Sequence, residues 1–413
     1  MLNQNNPREQ GTAHCSDSHF HPDKYMMDTA PPPMPAEPGV TILTHWPPRV
    51  WAVLCYRSGD NTQILSLAEA LGWPFETKRL AYKQRKVAIN LLRGTGLAGI
   101  DISRSSPLTP PWPDLIISAA FRNEPVCRWI QRQADHKVRY VHIGRPWARF
   151  DNFDLVITVP EYRLARHPKV LHNDLSIHGV TAARLAEAAA QWAPRLAELP
   201  QPYIAVLVGG YSGPYTFDRP TAERLGRQAS ALARELGGSL LVTTSARTLR
   251  SSTAALKAVI DVPAYFFQWT RQADDNPYYG YLALADSLIV TCDSASMLTE
   301  ACATRKPVYI FDLDERHTAS NPALGHPGAI HSSSLGWRDW RLHHLKAALY
   351  QSMMRLPVKR LTRDIRLVHE VLITSGRAVW LGQPFPPGPP LPPLEDTERA
   401  VARIRALFKQ AAG

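Results

Sequence analysis

Short apolar runs that recur along the chain constrain its fold more than any other feature of the sequence. Each run is four to six residues long, rich in β-branched residues, and separated from the next by a polar or helical stretch. The runs lie at 50–55, 114–118, 139–143, 154–159, 203–208, 239–243, 264–267, 287–291 and 307–311. A strand that is apolar throughout is buried on both faces, which is typical of a parallel sheet covered by helices on both sides.

Helical patterns between these runs complete two α/β units. The turn at 57–60 leads into 61–71, where apolar residues recur at helical spacing until Gly72, a residue suited to end a helix. A helix predicted from Thr181 to Leu199 separates the first four runs from the last five. We therefore predict an α/β protein with two Rossmann-like lobes, each containing a parallel sheet, and a cleft between the lobes.

The remainder of the chain divides by composition. The predicted segments are a disordered tail (1–47), a first lobe (48–178), a second lobe (179–330), a helical extension (331–382), a proline-rich linker (383–394) and a terminal helix (395–413). The linker contains seven prolines and is expected to be extended. The terminal helix could pack on a lobe distant in sequence or lie on the surface of the second lobe, and the sequence leaves both placements open.

Composition limits the class of protein. The 413 residues carry a net charge of +11, which suggests an anionic partner: nucleic acid, an anionic membrane surface or a phosphorylated small molecule. No array of stacking aromatic and basic residues favours nucleic acid, so we expect none as a partner. The five cysteines form no CxxC pair, which argues against a disulfide framework or a zinc ribbon and is compatible with the cytoplasm.

The strongest local signal follows the run at 287–291. The small polar residues Asp293, Ser294 and Ser296 come next and are expected to open a helix. Free N–H groups and the positive end of the helix dipole attract phosphate at such a terminus. Because Asp293 alone would repel an anion, the phosphate is expected nearer the amides from Ser294 to Met297.

A carboxylate lies one turn further along this helix. Glu300 is predicted to share a face with Ser296 and Met297, where it could accept hydrogen bonds from ribose hydroxyls. The alternative is a capping box, in which Ser296 or Asp293 caps the helix and Glu300 is only an exposed charge.

A glycine-containing turn follows the run at 203–208. Gly209, Gly210, Ser212 and Gly213 could let the backbone approach a ligand closely. The pattern is neither GxGxxG nor a P-loop, so a purely structural turn is the alternative.

Hydroxyl and guanidinium groups follow the run at 239–243. Thr244, Ser245 and Arg247 suit a diphosphate, since a guanidinium can hold two oxygens at once, although a solvated loop would look the same. Asn276 and Tyr278 could line the mouth of the cleft, or Asn276 could simply start a helix. In a parallel sheet the carboxyl ends of the strands share one edge, so we expect these loops to converge.

The first lobe has a comparable turn after its first strand. Gly59, Asn61 and Gln63 are candidate substrate-binding residues, and Asp60 is a candidate catalytic base toward an acceptor hydroxyl. Asp60 could equally be the N-cap of the helix that it precedes.

A basic segment lies at 78–93. It holds six basic residues and no acidic ones, interleaved with apolar residues. This pattern suits the surface of an anionic membrane, and an ordinary solvated face is the alternative.

Together these motifs resemble the plant mitochondrial-fission ("elongated mitochondria") family and its bacterial relatives, over roughly residues 50–330. The resemblance is carried by Ser58-Gly-Asp-Asn-Thr-Gln63, Val208-Gly-Gly-Tyr-Ser-Gly213, Leu241-Val-Thr-Thr-Ser245, Asn276-Pro-Tyr278, Asp293-Ser-Ala-Ser-Met297 and Glu300-Ala-Cys-Ala-Thr304. It implies the fold of the two-Rossmann B-type glycosyltransferases. Bacterial members are regarded as glycosyltransferases, and plant members are linked to dynamin-related proteins on mitochondria.

From the residues and this resemblance we expect a metal-independent glycosyltransferase without a cofactor. The second lobe would hold a nucleotide-sugar as co-substrate, and the first lobe a glycan or lipid-linked acceptor. The protein would be cytoplasmic, with contact to the inner face of the cell membrane as a further option. The alternative is a non-catalytic adaptor that binds a protein partner. An epimerase or dehydrogenase of nucleotide-sugars is disfavoured, because GxGxxG and a Tyr-x-x-x-Lys pair are missing.

Overall fold

The computed structural model describes residues 47–83, 94–270, 275–314, 350 and 362–409. The expected disordered tail lies outside the described residues apart from its last position, and so does most of the expected helical extension.

A parallel six-stranded sheet forms the first lobe. Its strands are β1 (Val50–Leu54), β2 (Phe75–Arg79), β3 (Leu115–Ala119), β4 (Arg139–Ile143), β5 (Leu155–Thr158) and β6 (Val170–His172). They lie in the order β2-β1-β3-β4-β5-β6, and helices α1 (Ser58–Leu71) and α2 (Glu124–Gln133) connect strands of this sheet. Helix α1 buries Ile64, Leu67 and Leu71 against the sheet, because its apolar residues fall on one face.

A second parallel six-stranded sheet forms the other lobe. Its strands are β7 (Tyr203–Leu207), β8 (Ser239–Thr243), β9 (Ala264–Phe267), β10 (Ser287–Thr291), β11 (Val308–Phe311) and β12 (Val379–Trp380). Its helices are α3 (Ala182–Leu196), α4 (Arg219–Leu236), α5 (Arg250–Val259), α6 (Tyr278–Leu284), α7 (Ala295–Ala303) and α8 (Arg366–Thr374). The order β12-β11-β10-β7-β8-β9 reverses between β7 and β10, and ligands bind at such a reversal in open α/β sheets.

These two parallel sheets confirm the predicted fold class, an α/β protein with two Rossmann-like lobes. The order of the second sheet is that of a dinucleotide-binding Rossmann fold, with β7 as the first strand and β10 as the fourth.

The terminal helix α9 (Asp396–Lys409) crosses back to the first lobe. Ala400 and Ile404 are fully buried in the core of that lobe, and the ring of Phe408 lies 5.2 Å from that of Trp73. At the start of the helix, the Asp396 carboxylate accepts a hydrogen bond from the Asp174 amide at 2.9 Å. Of the two placements that the sequence left open, the structure shows the one on a lobe distant in sequence.

Three strands were not predicted, and all three lie at the edge of a sheet. β2 and β6 lie at the two edges of the first sheet, and β12 lies at one edge of the second. β12 also corrects the expected helical extension at 331–382, since part of that segment adds a strand to the second sheet. Edge strands are half exposed, so they do not need an uninterrupted apolar run.

Candidate functional site

The carboxyl ends of β7 and β10 lie side by side at the reversal of the second sheet. The Gly209 amide donates to Thr291 Oγ1 at 2.8 Å, and the Gly210 amide donates to Asp293 Oδ2 at 3.0 Å. The Asp293 side chain is completely buried. The predicted glycine turn therefore binds a carboxylate of the chain itself.

Both glycines are required by this packing. A Cβ on Gly209 would lie 2.4 Å from the Asp293 carboxylate oxygens. A Cβ on Gly210, which has φ +147°, would lie 2.2 Å from the Arg247 carbonyl oxygen. The sequence predicted that a ligand could approach the backbone closely at these glycines. In the structure, the Asp293 side chain and the Arg247 backbone occupy that position.

The loop after β8 joins the same cluster. Arg247 Nη1 lies 2.5 Å from Asp293 Oδ2 and also donates to the Tyr211 carbonyl at 3.3 Å. Ser245 Oγ donates to the Gly209 carbonyl, as does Thr248 Oγ1 at 2.6 Å. The loops converge at one edge of the sheet, and the guanidinium neutralises the buried carboxylate.

Thr244 lies apart from this cluster. It is buried, its hydroxyl accepts the Trp269 amide at 3.0 Å, and its own amide donates to the Phe267 carbonyl. These bonds tie the ends of β8 and β9 together. The role of Thr244 in the structure is to join two strand ends.

The glycine turn continues toward the carboxy-terminal part of the chain. Ser212 Oγ accepts a hydrogen bond from Arg363 Nη2 at 2.5 Å. Gly213 has φ +60°, and a Cβ there would lie 3.3 Å from the Tyr350 ring. This end of the turn is therefore packed against residues 350 and 363.

The amino terminus of α7 differs from the glycine turn in its hydrogen bonding. Within the described part of the chain, the amides of Ala295, Ser296 and Met297 have no recorded hydrogen-bond acceptor. Ser294 is the N-cap but forms no side-chain capping bond, so neither Asp293 nor Ser296 caps this helix, and that alternative is wrong.

Two helix amino termini meet at this point. Ser296 Oγ lies 3.5 Å from the position that a Cβ would take on Gly59, in the first turn of α1. The first-turn amides of α1, from Ser58 to Asp60, also have no recorded acceptor among the described residues. The positive ends of a helix from each lobe thus lie in contact at the junction of the lobes.

Glu300 lies one turn into α7. It is 6% exposed, and its Oε2 accepts a hydrogen bond from the Tyr278 hydroxyl at 2.5 Å. Burial raises the pKa of Glu300 to about 7, although the Tyr278 hydrogen bond and Arg184 lower it. The alternative in which Glu300 is an exposed charge is therefore wrong.

Asn276 lies two residues before the start of helix α6. Its Oδ1 accepts the Tyr278 amide at 3.0 Å, and the side chain is exposed. Pro277 is the N-cap of α6, so the alternative in which Asn276 caps the helix and Pro277 is its first residue is wrong, and the Asn276 bond is that of an Asx turn. Asn276 also orders the residue whose hydroxyl contacts Glu300.

In the first lobe, Asn61 has a structural role. Its Oδ1 accepts the Cys55 amide at 2.7 Å, and its Nδ2 donates to the Cys55 carbonyl at 3.0 Å. Both polar groups of the side chain therefore fix the end of β1. Gln63 lies further along α1 and is half-buried.

Asp60 lies in the first turn of α1. The N-cap of that helix is Arg57, so the alternative in which Asp60 is the N-cap is wrong. Burial raises the pKa of Asp60, while Arg57 and Arg363 lower it. Its Oδ2 lies 3.7 Å from the Cys55 sulfur.

Two residues near Asp60 were not predicted. Glu161, in a 3₁₀ turn after β5, is 3% exposed, and Arg363 Nη1 lies 3.8 Å from its Oε1. Burial raises the pKa of Glu161, and Arg363 lowers it. Because Arg363 also donates to Ser212, its guanidinium contacts both lobes. Glu161 follows a predicted strand, and that position could have marked it as a site candidate. Arg363 lies in no recognisable motif, so the sequence offered no comparable signal for it.

The basic segment at 78–93 is partly described. Lys78 is 4% exposed, and its Nζ lies 2.5 Å from Glu76 Oε1 and 4.1 Å from the Trp51 ring centroid. Lys78 therefore cannot face a membrane, which corrects that part of the prediction, and residues 84–93 lie outside the described residues. In the part of the chain that is described, no helix has the length and apolarity needed to cross a bilayer.

Residues 58–350 match the model of a family described as mitochondrial fission ELM1. The chain belongs to the mitochondrial fission ELM1 family. The residues that we considered as site candidates from Gly59 to Glu300 all lie inside the matched region, whereas Arg363, α8 and α9 lie beyond it.

Individual relatives agree with membership of the ELM1 family. The chain is 30% identical over 227 residues to the mitochondrial fission protein ELM1 of Arabidopsis thaliana, covering 49% of this chain and 52% of that protein. The match thus spans about half the length of the plant relative. An uncharacterized protein of Rickettsia prowazekii is 23% identical over 299 residues, covering 63% of this chain and 82% of its own.

The solved structures similar to this chain include a complex of S. aureus MnaA with UDP. It has a TM-score of 0.43 and 11% identity, and covers 88% of this chain and 97% of that one.

Proposed function

We propose that this ELM1-family protein is a metal-independent glycosyltransferase that moves a sugar from a nucleotide-sugar to a glycan or lipid-linked acceptor. The observation that carries the proposal is the meeting of two helix amino termini, one from each lobe, at Gly59 and Ser296. Backbone amides at such termini bind phosphate oxygens, and the helix dipoles favour negative charge. A diphosphate held there would lie at the junction of the lobes, where transfer between them must occur.

The neighbouring carboxylates fit the remaining parts of such a reaction. Glu300, one turn behind Ser296 on α7, would accept hydrogen bonds from the ribose of the donor. Asp60, in the first turn of α1, would accept the proton of the acceptor hydroxyl, and its burial raises its pKa in the direction that a base requires.

Arg247 was expected to bind the diphosphate directly, and the structure gives it another role. Because it is paired with Asp293, it balances a buried charge next to the site and does not add a free positive group. The proposed diphosphate contacts therefore shift from the glycine turn to the amides of α7.

Since the described lobes are already in contact at Gly59, donor binding requires them to separate there. Two side chains bond across the lobes: Arg363 contacts Glu161 and Ser212, and Arg184 of α3 pairs with Glu69 of α1 at 3.3 Å. A cytoplasmic location, at the inner face of the membrane when the acceptor is lipid-linked, is part of the proposal.

A non-catalytic adaptor that binds a protein partner is the second candidate. One observation favours it: the glycine turn expected to receive phosphate is occupied by Asp293 and Arg247. The relationship to a plant protein named for mitochondrial fission points the same way.

Gly59 provides the experiment that separates the two candidates. A Cβ there meets only Ser296 Oγ, at an ordinary contact distance of 3.5 Å, so a larger side chain would fill the junction with little effect on the first lobe. We expect UDP-, GDP- or CMP-sugars to raise the melting temperature of the wild-type protein, and Gly59→Leu to abolish that rise.

Gly388→Leu is the matched control, because a Cβ on Gly388 meets no atom within 4 Å. It should leave the rise unchanged. If no nucleotide-sugar stabilises the wild-type protein, the transferase proposal fails and the adaptor remains.

A further inference from the structure

A cavity of about 440 Å³ lies in the first lobe, outside the junction described above. It is lined by the loop after β4 and by the loop after β5. Both loops follow the carboxyl ends of strands, the edge at which open α/β sheets bind ligands.

Positive charge dominates the lining. Three arginines, Arg145, Arg149 and Arg163, line the cavity, against one acidic residue, Asp151. The ion pair of Arg149 with Asp151 is 3.6 Å long, and their side chains are 87% and 68% exposed, so it neutralises little of this charge.

Arg145 is held in place before any ligand arrives. Its Nη1 donates to the Thr362 carbonyl at 2.8 Å, its Nη2 donates to the Tyr162 carbonyl, and its guanidinium lies 5.6 Å from the Tyr162 ring centroid. A fixed guanidinium loses little conformational freedom on binding, so it favours affinity.

Arg163 has an unusual backbone for its residue type. Its φ is +51° and its ψ is +43°, a left-handed conformation that residues other than glycine seldom adopt. Its Nη2 donates to Thr362 Oγ1 at 3.0 Å, and its buried Nε has no hydrogen-bond partner among the described residues. Strained backbone and an unpaired buried donor are typical of binding sites.

His167 adds a neutral donor beside an apolar wall. Its Nδ1 accepts the Lys169 amide at 3.2 Å, which leaves the hydrogen of a neutral imidazole on Nε2. Its ring lies 5.1 Å from that of Phe150, and Leu164 also lines the cavity.

We infer that this cavity is the acceptor site of the proposed transferase and that it binds a phosphate ester with a small organic substituent. Several guanidinium groups around one cavity suit the multiple oxygens of a phosphate dianion better than a neutral sugar. The substituent would rest on Phe150 and Leu164. The inference rests on the proposed function, and its ligand could be a soluble sugar phosphate or the phosphate of a membrane lipid.

Position supports this assignment. Tyr162 lines the cavity and directly follows Glu161, which pairs with Arg363. The cavity is therefore on the first-lobe side of the junction, one residue away from the group of charges around Asp60.

Binding to the full-length protein tests the inference. Glycerol 3-phosphate, with glycerol as its neutral control, is titrated by calorimetry for the soluble source. Vesicles containing phosphatidic acid, with phosphatidylcholine vesicles as the control, are used in flotation for the lipid source. Binding of glycerol 3-phosphate but not glycerol, or of phosphatidic acid vesicles but not phosphatidylcholine vesicles, supports the inference. The probe that binds shows whether the phosphate is that of a soluble ester or of a lipid.

Variants decide whether the binding is at this cavity. Arg149→Gln and Arg163→Gln together should weaken binding of the phosphate probe by about tenfold or more. Arg227→Gln, at an exposed arginine of α4, should leave it unchanged. Because the Arg149 side chain is 87% exposed, Arg149→Gln alone should leave the fold unchanged, and it should also weaken binding.

The inference is overturned if neither probe binds up to about 10 mM, which is weaker than a specific site requires. It is also overturned if the cavity variants bind as well as the wild-type protein, or if Arg227→Gln loses as much. Nucleotide-sugar stabilisation is measured on the same variants. If the wild-type protein binds nucleotide-sugars but neither phosphate probe, this inference alone is refuted. If the wild-type protein binds no nucleotide-sugar, the proposed function is refuted.

Discussion

Replacement of Glu300 by glutamine should stabilise the protein at alkaline pH while weakening its proposed ligand site. The Glu300 carboxyl is buried, and the pKa rises from 4.5 to about 7. Since each pKa unit corresponds to about 1.4 kcal/mol, keeping this carboxylate ionised costs the folded state about 3 kcal/mol.

The sign follows from proton binding. Between pH 4.5 and 7 the folded protein binds a proton at Glu300 that the unfolded chain releases, so the stabilisation is complete below pH 4.5 and is lost as the pH rises through 7. Glutamine is neutral throughout, and its carbonyl can still accept the Tyr278 hydroxyl. Glu300→Gln should therefore exceed the wild type by less than about 1 kcal/mol at pH 5 and by about 3 kcal/mol at pH 8.

Urea unfolding at pH 5 and pH 8, followed by tryptophan fluorescence, measures this difference. The pKa of Glu124 also rises to about 7 through burial, but it titrates equally in both proteins and cancels. Glu235→Gln, at an exposed position on α4, is the control and should show no pH-dependent gain. A glutamine variant that is equally or less stable than the wild type at pH 8 would refute the assignment of a costly buried charge.

Two further experiments test the packing of α9 and the buried ion pair of Arg247 with Asp293. Phe408→Ala should destabilise the first lobe by about 3 kcal/mol, because a buried aromatic ring leaves a cavity against Trp73; an unchanged urea midpoint would mean that α9 does not pack there. Arg247→Gln should lower the free energy of unfolding by about 2 kcal/mol, since it leaves the buried Asp293 carboxylate without a positive partner. Adding Asp293→Asn should restore part of that stability. Strictly additive losses in the double variant would argue against the ion pair.

Interior strands could be predicted from the sequence because burial on both faces demands a continuous apolar run. β2 shows why edge strands could not: Phe75–Arg79 carries a glutamate, a lysine and an arginine. Lys78 is nevertheless buried, and its ammonium lies over the Trp51 ring and donates to Glu76 and to the Pro107 carbonyl. A charge pattern alone does not distinguish such a residue from one that faces solvent or lipid.

The site was foreseen in outline because topology brings the ends of adjacent parallel strands together. Sequence could not show that Asp293 turns toward Gly210, because a carboxylate satisfied by the chain's own amide looks the same as one that awaits a ligand. Arg363 could not be foreseen either. It reaches Ser212 from 151 positions away, in a segment without a motif.

That segment also connects the two proposed sites. Thr362 accepts hydrogen bonds from Arg145 and Arg163 of the cavity, while Arg363 pairs with Glu161 and donates to Ser212 of the second lobe. If the lobes separate to admit a nucleotide-sugar, this segment must give up its bond to Ser212 or its bonds to the first lobe. In the second case Arg163 of the cavity loses a partner that a phosphate can replace. Donor and acceptor would in that case favour each other's binding reciprocally, because each stabilises the same separated arrangement of the lobes.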